Sequence, residues 1–171
     1  MILHLLAHRG GTALLVGVRE YNAFEPPFLE KRGVLCWTLD FDPAAAQWGA
    51  AGRHVTAPIE QAPAKFDAAM FDTIMLSGVF GFGLNDSATQ EAALEACAYL
   101  LKPRGLFVLG WNTDLVADPS SLHGLKHYFE AFGETDIPGR VTFRRSTHVF
   151  DFYGRNSRAA VAANKRTGTS M

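Results

Sequence analysis

Cysteine is scarce in this sequence. Cys36 and Cys97 are the only two among 171 residues, and both sit inside apolar runs. There is no CxxC pair and no Cys/His spacing of a metal site, so neither a disulfide framework nor a zinc module organises the chain. Two buried thiols suit a reducing compartment, and a cytoplasmic protein is expected. An excess of charge of either sign is also missing. The formal net charge is −1, which gives no electrostatic footprint for nucleic acid or an anionic membrane. The late basic residues Arg155, Arg158, Lys165 and Arg166 stand in a polar tail and read as solvated. No run approaches the roughly 18 apolar residues of a membrane span. The opening "MILHLLAHRGG" is too short for a signal peptide and has neither a basic segment nor a cleavage site.

What is present is enough for a core: 48% of residues are hydrophobic and 19% charged. The length suggests one domain, 1–155, followed by a flexible tail, 156–171, of Ala, Asn, Lys, Thr, Gly and Ser. "TALLVGV" (12–18), "VLCWTL" (34–39), "TIMLSGV" (73–79) and "LFVLGW" (106–111) are short runs, apolar throughout and bounded by turn residues. Strands covered on both faces of a parallel sheet look like this. A further strand is expected within "RHVTAPIEQ" (53–61). Helices are expected at 24–32, 43–50, 87–102 and 120–131. The third has the S-x-x-Q spacing of a capping box at Ser87 and Gln90. "RVTFRR" (140–145) and "THVFDFYG" (147–154) partly alternate and suit an antiparallel pair. Essentially no element is expected ahead of the first strand. The fold class is therefore α/β: a Rossmann-like, doubly wound, mostly parallel sheet with a C-terminal antiparallel strand pair.

In such sheets ligands bind outside the carboxyl ends of the strands. The first of these ends is "LLVGVREYNAF" (14–24), where a glycine-rich loop is usual and only Gly17 is found, followed by Val18 and Arg19. At the second end, Asp40 and Phe41 stand in "LDFDP". Asp40 is placed to accept two ribose hydroxyls; alternatively it caps the helix beginning at Pro43, a task Asp42 could also perform. At the third end, Ile59 could pack an adenine with Glu60 reading its edge, or the segment is a simple turn. At the fourth, Ser77, Gly78 and Val79 open a loop containing Gly81 and Gly83, whose backbone can approach a ligand. Phe80 and Phe82 either roof a pocket or pack the core.

"FDTIMLSGVFGF", a helix, and then "LLKPRGLFVLGW" resemble the second half of class I S-adenosylmethionine-dependent methyltransferases, whose pattern is FDxV, a helix, and LKPGG before an apolar strand. Phe71-Asp72-Thr73-Ile74 and Leu101-Lys102-Pro103-Arg104-Gly105 carry the likeness, which covers about 12–153. It implies S-adenosylmethionine as cofactor. Against the family's G-x-G-x-G, this chain has Gly17, Arg19 and Tyr21, so only the first glycine remains. The cofactor-binding set implied is Gly17, Val18, Arg19, Asp40, Phe41, Ile59, Ser77, Gly78 and Val79.

Methyl transfer needs alignment above all, and a general base is optional. Candidates for a base follow the last parallel strand: Asp114, beside Asn112, and His123 and His127, which share one helix face at i, i+4. The two histidines could also hold a metal, though no third ligand is evident and no metal is expected, or they are simply exposed. An NPPY-type motif is absent, "SGVF" standing in its place, which points to a small-molecule acceptor methylated at oxygen. A homodimer could cover the active site. The alternative reading is a non-catalytic, methyltransferase-like binding or scaffold domain. A dehydrogenase stands behind both, because G-x-G-x-x-G is absent from the first turn.

Overall fold

A computed structural model describes residues 1–132 and 137–156. Among the described residues eight strands form one sheet: β1 (Thr12–Val16), β2 (Leu35–Asp40), β3 (His54–Thr56), β4 (Phe71–Ser77), β5 (Leu101–Asn112), β6 (Phe129–Ala131), β7 (Arg140–Phe143) and β8 (Ser146–Arg155). The order is β3-β2-β1-β4-β5-β8-β6, with β7 also paired to β8. The first five strands are mutually parallel, and β8 runs antiparallel to β5. The apolar runs have the expected consequence. Leu14, Val16, Ile74, Leu76, Phe107 and Leu109 enter one core, while Ala13, Leu15, Met75, Leu106 and Val108 enter the other. Successive side chains point to opposite faces, so β1, β4 and β5 are buried on both faces. Helices α1 (Ile2–Arg9) and α2 (Glu25–Glu30) cover one face, and α3 (Ser87–Leu100) and α4 (His123–Tyr128) cover the other.

Several elements differ from the expectation. An eight-residue helix, α1, precedes the first strand; its Leu6 is buried against Leu29 and Val34 in the second core. The segments 43–48 and 59–64 are 3₁₀ turns. The cap of α3 is Asp86, whose carboxylate accepts the Thr89 N–H at 3.0 Å. Gln90 is buried and donates instead to the Leu84 carbonyl. The last expected helix is split, because Phe129–Ala131 pairs with β8 as β6. Of the expected tail, 156–171, only Asn156 falls within the described residues. Arg155, expected to be solvated, instead ends β8 as a buried side chain whose guanidinium donates to the Leu101 carbonyl.

The motif residues Asp72 and Lys102 sit at the amino-terminal end of the sheet. The Asp72 carboxylate accepts the Thr12 N–H at 2.8 Å and the Lys102 ammonium at 2.8 and 2.9 Å. One side chain thus ties the starts of β1, β4 and β5. Burial alone would raise the Asp72 pKa, but these bonds outweigh it and hold the carboxyl below its ordinary value. Arg104, where the methyltransferase pattern has glycine, adopts φ 62°, a left-handed conformation that an L side chain enters at a cost.

Candidate active site

The strand order reverses between β1 and β4, and their carboxyl ends open onto two adjoining cavities. The first, about 420 Å³, lies over β1, β2 and β4. The second, about 470 Å³, lies over β4, β5 and β8. Gly78 and Phe82 line both.

At the first cavity the chain leaves β1 through Gly17, whose φ is 93°. A Cβ here would come within 2.0 Å of the Ser77 carbonyl oxygen, so the glycine serves the approach of two backbones. Asn22 then holds the turn. Its side chain accepts the Arg19 N–H at 2.8 Å and donates to the Gly17 carbonyl at 2.9 Å. Arg19 itself has φ −144°, an extended conformation open to any residue. Its guanidinium crosses to Asp40 at 2.8 Å.

Asp40 is 3% exposed. One carboxylate oxygen accepts the Val18 N–H and Arg19, and the other accepts the Asp42 N–H at 2.9 Å. Asp42 caps the following turn through the Ala44 N–H, so the two acids divide the tasks and Asp40 is not the cap. A carboxylate offers about four acceptor positions, and three of these are taken. Phe41, Ile59 and Glu60 complete the wall on the β2–β3 side.

The second cavity has a mixed lining. Asn112 ends β5 and pairs in register with His148 on β8. Asn112 donates to the Thr147 hydroxyl at 2.9 Å, and its carbonyl oxygen lies 3.0 Å from His148 Nδ1. Nδ1 must therefore carry the proton, leaving Nε2 as an acceptor. Burial lowers the His148 pKa, keeping the ring neutral. Tyr21, Ser77 and Glu25 share this lining with Met75, Phe24 and Phe150.

No family profile matches the sequence, and no curated protein matches it. Solved structures do match in fold. A TehB-like SAM-dependent methyltransferase from Corynebacterium glutamicum superposes with a TM-score of 0.69 at 19% identity, over 91% of this chain and 85% of its own. The N-methyltransferase NodS from Bradyrhizobium japonicum, in complex with S-adenosyl-L-homocysteine, gives 0.61 at 18%, over 90% and 85%. The Burkholderia thailandensis 1,6-didemethyltoxoflavin-N1-methyltransferase, with bound 1,6-didemethyltoxoflavin and S-adenosylhomocysteine, gives 0.59 at 18%, over 91% and 75%. This chain has the class I methyltransferase fold.

On this methyltransferase fold the residues expected to bind cofactor divide. Gly17, Arg19, Asp40, Phe41, Ile59, Gly78 and Val79 line the first cavity. Val18 contributes through its N–H to Asp40, and Ser77 lines the second cavity. The expected catalytic residues lie elsewhere. His123 and His127 stack on each other at 5.3 Å on α4, where Glu91 of α3 accepts the N–H groups of His123 and Gly124; neither histidine lines either of the two cavities. α4 packs against α3. Asp114 is exposed in the turn after β5 and lines neither cavity. Among the described residues no cluster of three metal-ligating side chains occurs, and no helix is long and apolar enough to cross a membrane.

Glu25 and His148 were not singled out by the sequence reading. The signal for Glu25 was a lone acid in "AFEPPF". His148 gave only an alternating strand, and its cavity depends on the β5–β8 register.

Proposed function

We propose that this chain binds S-adenosylmethionine in the first cavity and methylates a small-molecule acceptor, at oxygen, held in the second. The observation that carries the reading is the pair of cavities meeting at Gly78 and Phe82, with Asp40 at the end of β2 in one and neutral His148 with Asn112 in the other. Their volumes fall within the roughly 300–1,000 Å³ of ligand pockets. Asp40 retains an open acceptor position for a ribose hydroxyl, and a second opens when Arg19 swings out. The Arg19 side chain is 35% exposed and long enough to do so. Phe41 and Ile59 would flank the base. When bound, the cofactor supplies an electrophilic methyl group on a sulfonium centre. The protein's own contribution is alignment and removal of water, the former worth about 7–11 kcal/mol when geometry is right. The cytoplasm is the proposed compartment, supported by the free, buried thiols of Cys36 and Cys97.

One observation favours the second reading, a non-catalytic binding domain: the Arg19–Asp40 pair stands where the ribose would go. The deciding measurement is the melting shift and calorimetric affinity with S-adenosylhomocysteine, with NAD as control. A ligand at a hundred times its dissociation constant stabilises by about 2.7 kcal/mol. A shift with S-adenosylhomocysteine alone supports the enzyme, and no shift with either supports the binding domain.

A further inference from the structure

Glu25 takes no part in the proposed binding of the methyl donor. It occupies the first turn of α2, and its carboxylate makes no hydrogen bond or ion pair with any described residue. It lines the second cavity and the smaller depression that continues it toward α1. Its neighbours there are Phe24, Phe28, Met75 and Phe150. A carboxylate among such groups, without partners, is costly unless it is protonated or a ligand satisfies it. Burial accordingly raises its pKa to about 7.

We propose that Glu25 is the proton acceptor of the acceptor site, and that the acceptor is a neutral aromatic alcohol of the phenol class. The inference rests on the preceding one for the methyl donor, but not for the binding of the alcohol. The aromatic body lies among Phe24, Met75 and Phe150, and the hydroxyl donates to Glu25. On transfer the hydroxyl oxygen forms the new O–C bond, and the electron pair of the broken S–C bond stays on sulfur. The hydroxyl proton passes to Glu25 and then to water. A base works best with a pKa near the working pH, and Glu25 meets this condition. His148 is the weaker base, since burial lowers its proton affinity and Asn112 fixes its tautomer. A neutral alcohol enters this apolar lining at less desolvation cost than an ammonium ion.

Other titratable groups face the same space. His4 of α1 and Met1 before it line the smaller depression, and Tyr21 of the first turn and His148 of β8 line the cavity. Cys36 on β2 senses Glu25 and Glu30, and its thiol is pushed up to about 12, chiefly by burial, so it stays protonated.

The test is ¹⁹F NMR titration of the full chain with 4-fluorophenol, 4-fluoroanisole and 4-fluorobenzylamine, below and above the Glu25 midpoint. The phenol, whose own pKa is about 10, stays neutral throughout. It should bind roughly tenfold more tightly above the midpoint, as a hydrogen bond to a charged acceptor requires. The anisole should show no such change. Glu25→Gln should abolish the pH dependence, and His148→Gln should leave it. The wild-type phenol–anisole comparison needs no variant, so it decides even where a variant folds poorly. Equal binding of phenol and anisole, no phenol binding, an unchanged profile in Glu25→Gln, or preference for the amine would each overturn the proposal. Calorimetry with S-adenosylhomocysteine on the same samples separates the two inferences. If it fails to bind while the phenol binds with the expected profile, the donor reading falls and the alcohol site stands.

Discussion

The two ends of this sheet are built from similar parts and do different things. At the amino-terminal end, Asp72 meets a cation and a backbone N–H, Lys102 and Thr12. At the carboxyl end, Asp40 meets a cation and two backbone N–H groups, Arg19, Val18 and Asp42. The first cluster ties three strands together and borders neither cavity, while the second walls one. The residues that make the chain look like a methyltransferase are largely those of the first cluster. What they specify is architecture, and the chemistry must be read at the other end.

This contrast can be broken by substitution. The largest effect is expected for Gly17→Ala, which drives a Cβ into the Ser77 carbonyl at a positive φ. It should cost about 3 kcal/mol in denaturant unfolding, although it lies in a loop that lines the first cavity. Next is Arg19→Gly. It should tighten S-adenosylhomocysteine binding about tenfold by calorimetry while costing about 1 kcal/mol of stability. Weaker binding in this variant would mean that the guanidinium belongs to the ligand site.

Glu25→Gln should raise stability by about 1 kcal/mol at alkaline pH, after allowance for its partial exposure. The sign follows from its raised pKa, from 4.5 to about 7. The native state holds the proton more tightly, so the penalty is absent below the lower value and complete above the higher. Equal melting temperatures for wild type and variant at alkaline pH would contradict it.

Asp72→Asn should cost about 1 kcal/mol near neutrality and leave ligand affinity untouched. Because the native Asp72 pKa is depressed, its contribution is present above the unfolded value and is lost as pH falls through the native one. The two unfolding curves should therefore converge in acid. Smallest is Arg104→Gly, which relieves a left-handed residue and should raise the melting temperature by the equivalent of less than about 1 kcal/mol.

The same contrast explains what could be read in advance. The strands were legible because both faces are buried, making Leu14–Val16 and Leu106–Leu109 apolar throughout. Asp40 was legible as a cavity residue from its place at the end of β2. The Arg19 contact was not, since nothing in "GVRE" says whether the side chain points toward the acid or away from it. The cap at Asp86 was obscured by the equally plausible Ser87 next to it. α1 was passed over because eight residues give too little periodicity. His123 and His127 drew attention by their spacing, a local property, whereas Glu25 and His148 share a cavity only through strand pairing across more than a hundred positions.

The Arg19–Asp40 pair has one more consequence. If the guanidinium must leave before ligand enters, the measured affinity is the intrinsic affinity scaled by the fraction of molecules in which it has left. Each 1.4 kcal/mol of preference for the closed arrangement then weakens binding about tenfold. Added salt loosens an ion pair whose guanidinium is partly exposed, though less than it would a fully exposed pair. Binding should accordingly tighten as ionic strength rises, the reverse of the behaviour of a site that draws its ligand in by charge.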